Sequence, residues 1–192
     1  MKILDGFDSR KDYDLDTKEA IKTQFMKEYM NKDFSQITVK GLCGSTPVAR
    51  TTFYSYFENT SDVLEAVEDD LVKGLAEVPV KVCGGNLREM DFHLFLEELE
   101  KYIKENWTYI YAFLVTQPDL KFMRKWKDAI KINFSKKYPD ISGKDRFEVV
   151  AEISASSVLS AYTYWMEHPD EMGLREFEPL ITKLLDDLVH SI

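Results

Sequence analysis

Residues able to do chemistry are few in this chain of 192, and their spacing excludes more than it offers. His93, His168 and His190 fall in no nucleophile or metal-ligand spacing, and no glycine-rich phosphate loop occurs. Cys43 and Cys83 lie far apart and in no ligand pattern. No catalytic residue, metal or cofactor is therefore expected. What remains is hydrogen-bond chemistry in one short stretch, TTFYSYFENTSDVL, residues 51–64. Four aromatics, Phe53, Tyr54, Tyr56 and Phe57, crowd five positions there, interleaved with Arg50, Thr51, Thr52 and Ser55. Four large rings cannot all turn inward on nine residues. Phe53, Phe57 and Tyr56 are expected on the packed side, with Tyr54 outward beside Arg50, Thr51 and Ser55. A tyrosine suits that place because its ring fixes the hydroxyl at low entropic cost.

The composition sets limits on partners. The chain is 44% hydrophobic and 31% charged, enough apolar material for a core, and carries a net charge of −9. Such a charge repels phosphates at long range, so any nucleic-acid contact must rest on a local patch. No run of about 18 uncharged apolar residues is present, so no membrane span is expected. The opening MKILDGFDSRKDYD is charged throughout and lacks the apolar stretch of a secretory signal. The two cysteines then read as free thiols in a reducing cytoplasm.

Helical periodicity runs through almost the whole sequence, and no strand is expected. Ala20, Ile21, Phe25 and Tyr29 recur at helical spacing between Asp16 and Asn31, with Asp16 or Thr17 as the cap and Asn31 as a left-handed exit. Thr38 stands where the cap of a short second helix is wanted, in which Gly41 and Gly44 each cost about 1 kcal/mol. A third helix takes residues 49–57. A fourth, capped by Asn59, carries the stripe Val63, Leu64, Val67, Leu71 and Leu75 and runs out before Pro79. Pro79 and the Gly84-Gly85 pair mark residues 78–91 as a boundary, giving domains 1–77 and 78–192. Beyond it, helices are expected from Phe92 to Ile103, through the all-apolar WTYIYAFLVT to Pro118, over 119–137, from about Lys144 to Glu167, and from about Glu176 to His190.

Two short helices joined by a tight turn, with a longer helix on each side, form a helix-turn-helix plan. ITVKGLCGSTPVARTTFYSYFENTSDVL resembles the N-terminal signature of TetR-type (tetracycline-repressor-like) transcription regulators through Thr38, Val39, Leu42, Cys43, Val48, Thr52, Tyr54, Tyr56 and Phe57. The resemblance implies an all-α protein: an N-terminal DNA-binding domain and a larger helical domain for effector binding and dimerisation. It implies a ligand-responsive repressor, cytoplasmic and not an enzyme, that binds a palindromic operator in double-stranded DNA as a homodimer. Thr38 would touch the DNA backbone through its hydroxyl and the neighbouring amides. Arg50, Thr51 and Thr52 would enter the major groove, with Arg50 reading guanine bidentately, and Tyr54 and Ser55 would grip phosphates or base edges. Thr60 stands where the family usually places a lysine, and Pro47 where many relatives have glycine. Lys40 and Arg50 are balanced by Asp33 and Glu58 between residues 33 and 60, so few phosphates are neutralised and binding should be modest. A helical ligand-binding protein of the same fold with little DNA affinity is the competing reading.

In the second domain, residues 147–166 offer Phe147, Val150, Ala151, Ser154, Val158, Ala161, Tyr162 and Trp165 on one face, and the last helix Phe177, Leu180, Ile181, Leu184, Leu185 and Leu188. In this family the last two helices make a four-helix dimer interface, so Ala151, Ser154, Val158, Tyr162, Trp165, Phe177, Ile181, Leu184 and Leu188 are the expected contacts; an intramolecular bundle is the alternative. The aromatics Trp107, Tyr111, Phe122, Trp126 and Tyr162 either line a pocket for an unknown small-molecule effector or are plain core. The basic run Lys121, Arg124, Lys125, Lys127, Lys131, Lys136 and Lys137 reads as a solvated helix face rather than an anion site.

Overall fold

A computed structural model describes residues 9–171, 176 and 178–190. Among the described residues the regular structure is helical throughout, and no helix is long and apolar enough to cross a membrane. The chain divides into two compact units, residues 1–68 and 69–192.

The first unit holds α1 (Ser9–Tyr29), a 3-10 turn (Phe34–Gln36), α2 (Val39–Gly44), α3 (Arg50–Tyr56) and the first turns of α4 (Thr60–Cys83). α1 begins well before the expected cap: Asp16 and Thr17 lie inside it, and Thr17 is buried. The preceding SRKDYDL has neither glycine nor proline to stop a helix, so the interior simply extends. Asn31 ends the helix without a left-handed backbone, since Arg146 alone among described non-glycine residues has positive φ. Its side-chain amide donates instead to the Lys27 carbonyl at 2.7 Å. α2 starts as its cap dictates, with Thr38 extended (φ −124°, ψ 149°) and its Oγ1 accepting the Gly41 N–H at 3.1 Å. A Cβ on Gly41 would sit 3.3 Å from that same hydroxyl, so a small residue suits the tight first turn. Asn59 Oδ1 accepts from the Ser61 and Asp62 amides, and Asp62 reaches back to the Glu58 N–H at 2.9 Å. This reciprocal arrangement fixes the corner between α3 and α4.

The second unit contains the rest of α4, a 3-10 turn (Leu87–Glu89), α5 (Phe92–Glu105), α6 (Trp107–Tyr111), α7 (Leu120–Lys137), α8 (Phe147–Glu167) and α9 (Glu178–His190). α4 does not stop at Pro79 but carries it inside the helix to Cys83. The apolar stripe explains this: Leu71, Leu75, Val78 and Pro79 are all buried, and their packing outweighs the lost N–H. The real stop is Gly84 (φ 59°) and Gly85 (φ 95°), with the Gly85 N–H on the Val80 carbonyl, a Schellman closure. α6 widens into a π-helical turn over Ala112–Thr116, where the Gln117 N–H reaches the Ala112 carbonyl five residues back. Asp119 caps α7 through the Lys121 and Phe122 amides. α5 is tied to α4 by the Tyr102 hydroxyl, which donates to the Leu71 carbonyl at 3.1 Å directly beside Gly74.

Candidate nucleic-acid interface and a second-unit cavity

The geometry of α3 follows from its length. A helix of seven residues has one face to bury, and Phe53 fills it, completely enclosed. Phe57, the extended residue that ends the helix, is 5% exposed and packs its ring 5.8 Å from that of Phe53. The Lys18 ammonium lies over the Phe57 ring at 5.7 Å. Tyr56 is half-buried. Tyr54 is 57% exposed, its ring set edge-on to Phe53 at 5.6 Å, so one buried ring braces the outward one. Arg50, Thr51 and Ser55 are exposed with it, Thr52 is half-buried, and Thr38 is exposed at the start of α2. Six of the seven expected site residues thus lie on α3 or at the α2 cap; Thr60, half-buried, opens α4.

The Ser55 hydroxyl donates to the Thr52 carbonyl at 2.6 Å, so its proton is already engaged within α3 and it meets a partner as an acceptor. The Thr38 oxygen accepts from Gly41, which leaves its own O–H to donate outward.

In the second unit the aromatics separate into core and cavity. A cavity of about 140 Å³ is bounded by residues of α4, α5, α7, α8 and α9 together with Leu87 and Met90. Of the five aromatics expected at an effector site, Trp126 and Tyr162 line it, stacked on each other at 5.5 Å and 7°. The other three do not. Trp107 and Tyr111 stack together at 6.0 Å, with Trp107 edge-on to Trp165, while Phe122 is enclosed between Phe113 and Trp126. Val158 and Ile181, expected at a dimer interface, line the cavity and are half-buried. The polar lining is Asn133, Lys137, Tyr138 and Tyr162, of which only Trp126's partner was expected from the sequence. Asn133 and Lys137 are four apart on α7, on the stripe that also bears Ile130 and Phe134. Two polar residues interrupting an apolar stripe are the signal that could have found them.

Part of the expected dimer face turns inward. Ala151, Ser154, Tyr162 and Trp165 are all buried within the unit, and Leu188 packs on the cluster of Phe134, Phe147, Val150 and Ala151. Leu184 is exposed; Phe177 lies outside the described residues. The reason is that α8 is apolar on both sides. Its opposite face presents Val149, Ile153 and Tyr164 at 60%, 44% and 46% exposure, with Ser160 between them, and α9 presents Leu180. The basic run on α7 is likewise divided. Lys127 and Lys131 both bind Glu152 of α8, Lys125 binds Asp69, and Lys137 lines the cavity; Lys121, Arg124 and Lys136 are exposed.

No family model matches the sequence, and no curated protein matches it. The fold does have solved relatives. A TetR transcriptional regulator from Streptococcus agalactiae 2603V superposes with a TM-score of 0.68 at 21% identity, over 92% of this chain and 97% of that one. The dihydroxyacetone kinase operon activator DhaS superposes with a TM-score of 0.57 at 17% identity, over 92% and 96%. The chain has the all-α fold of TetR-type transcription regulators.

Proposed function

We propose that this protein is a DNA-binding transcription regulator that reads a two-fold operator as a homodimer and responds to a small molecule held in the second-unit cavity. The observation that carries the reading is the division of α3: Phe53 and Phe57 anchor it beneath, while Arg50, Thr51 and Tyr54 stand exposed. On this fold, that exposed row is the edge a recognition helix lays into a major groove. Arg50 is the base reader, bidentate to guanine, because no other exposed residue of α3 has a forked donor. Tyr54, Thr38 and Thr51 hold phosphates through their hydroxyls, with Thr52 and Ser55 at the margin of the contact. The exposed face of α8 and α9, built on Val149, Ile153, Tyr164, Leu180 and Leu184, supplies the surface on which two copies meet. Repression relieved by the effector is the mode the sequence resemblance implies.

A second reading has its own support. Lys40 and Arg50 are balanced in number by Asp33 and Glu58 between residues 33 and 60, Thr60 adds no charge, and the whole chain carries −9. A helical ligand-binding protein that kept the fold with little DNA affinity would look the same. Gel-shift titration against the promoters of its own and adjacent genes separates the two. Retardation at submicromolar protein, with a shallow salt dependence, supports the regulator. An absence of retardation at micromolar dimer and low salt sinks it. Arg50→Ala should cost about 1–3 kcal/mol of discrimination among operators, whereas Tyr54→Phe should weaken all of them alike. Sequence preference that survives Arg50→Ala would remove Arg50 from the base-reading role.

A further inference from the structure

The cavity's wall is rich in rings and poor in charge. Two aromatic pairs line it: Trp126 stacked on Tyr162 at 5.5 Å and 7°, and Phe134 tilted on Tyr138 at 4.9 Å and 56°. Phe95 and Met90 join them, and apart from Asn133 and Lys137 the remaining lining is aliphatic. The amide and the ammonium are engaged with the protein itself. Asn133 donates to the Ala76 carbonyl at 3.3 Å. The Lys137 ammonium lies over the Tyr138 ring at 5.7 Å, in the field of Asp186 of α9. Both phenols stay protonated: burial raises Tyr162 well above its ordinary value, and raises Tyr138 with Asp186 adding to the effect. The lining holds no aspartate, glutamate, arginine or histidine. A charged ligand would therefore shed its water and meet no counter-ion waiting for it, an unfavourable exchange. A neutral ring meets the opposite case, with aromatic faces and edges and a methionine sulfur to pack against. The volume bounds its size. A cavity of about 150 Å³ accepts benzene, so about 140 Å³ suits a body of roughly six to ten heavy atoms.

Resting on the regulator reading above, we infer that the effector is a neutral, single-ring aromatic compound packed against the Trp126–Tyr162 and Phe134–Tyr138 pairs. Selectivity then comes from exclusion as much as from attraction. A carboxylate or an ammonium on the ring is rejected because nothing in the wall compensates its lost hydration. A saturated ring of the same size fits the space but forfeits the ring–ring contacts.

Isothermal titration of the full chain at neutral pH with benzyl alcohol, cyclohexylmethanol, benzoate and benzylamine tests this without DNA. Benzyl alcohol should bind about two- to tenfold more tightly than cyclohexylmethanol, which has the same skeleton without the aromatic ring. It should bind at least about a hundredfold more tightly than benzoate or benzylamine. Ala161→Phe fills the cavity and should weaken benzyl alcohol binding at least about tenfold, with circular dichroism reporting the fold. Ala129→Leu on α7 serves the same purpose should the first variant not fold. A charged probe that binds as tightly as benzyl alcohol, a saturated ring that matches the aromatic one, undiminished binding in a folded cavity-filled variant, or no binding by any probe overturns the inference. A gel shift with and without benzyl alcohol then tests the regulator reading separately. Benzyl alcohol that binds but leaves DNA retention unaltered overturns the coupling of cavity to operator and leaves the ligand class standing. DNA retardation with no neutral aromatic bound does the reverse.

Discussion

The segment Arg50–Tyr56 and the helix Phe147–Glu167 set the chain the same problem at different lengths: which side of an apolar helix goes in. In α3 the answer follows from shortage of room. Seven residues bury one face, Phe53 takes it with Phe57 just past the helix end, and Tyr54 is left 57% exposed. In α8 there is no shortage. Val150, Ala151, Ala155, Leu159 and Tyr162 are buried while Val149, Ile153 and Tyr164, equally apolar, face out. Residue type therefore assigns a face on the short helix and fails on the long one, where packing partners elsewhere in the chain decide.

The largest effect that could break this contrast is in α3. Phe53→Ala empties a fully enclosed site and should destabilise the first unit by about 3–5 kcal/mol. Tyr54→Ala, one residue away, should stay within about 0.5 kcal/mol because its ring packs on one side only. Amide-exchange protection of α1 and α4 residues in the first unit reads both variants. Comparable losses would mean that the outward ring is structural, and the exposed row would cease to be a recognition surface.

Much of the first unit was legible because its signals are local. The Thr38 cap, the Asn59 corner and the i,i+4 phenylalanines each act within four residues, and each lies where the sequence put it. What was not legible depended on distant partners. Pro79 reads as a stop until the buried stripe on either side of it is seen to hold the helix together. Lys137 reads as one more cation on a basic helix until α4, α8 and α9 close a wall around it. The inner and outer faces of α8 could not be told apart by hydropathy because both are apolar; α7 makes the difference by covering one.

The intermediate effect sharpens the α8 side of the comparison. If Val149, Ile153 and Tyr164 form the surface between two copies, Ile153→Asp places two carboxylates in one symmetric contact and should weaken dimerisation by about a hundredfold or more. Its own fold should survive, since Ile153 is 44% exposed in the single chain. Ala151→Asp, at 1% exposure, should instead unfold the second unit. Sedimentation velocity across protein concentration, with circular dichroism for folding, distinguishes dissociation from unfolding. A stable dimer carrying Ile153→Asp would place the interface elsewhere.

The smallest effect tests what fixes α8 between its two apolar faces. Glu152 lies on the flank between them and accepts from Lys127 at 2.5 Å and Lys131 at 3.0 Å, both on α7. Those hydrogen bonds lower its carboxyl pKa to about 2 from an ordinary 4.5. A carboxyl whose folded pKa is depressed adds stability that is complete above its unfolded value and is lost as pH falls through the folded one. The contribution should therefore be full above pH 4.5 and disappear towards pH 2. The side chain is 46% exposed, so solvent and salt screen the pair and the gain is at the scale of a surface bridge. Glu152→Gln should lower the melting temperature by no more than about 3 °C at neutral pH, and the difference should shrink on acidification and in high salt. Nuclear magnetic resonance titration of the Glu152 carboxyl checks the cause directly. A midpoint at the ordinary glutamate value would show that the lysines do not hold it, and the orientation of α8 would then rest on the buried residues facing α7 alone.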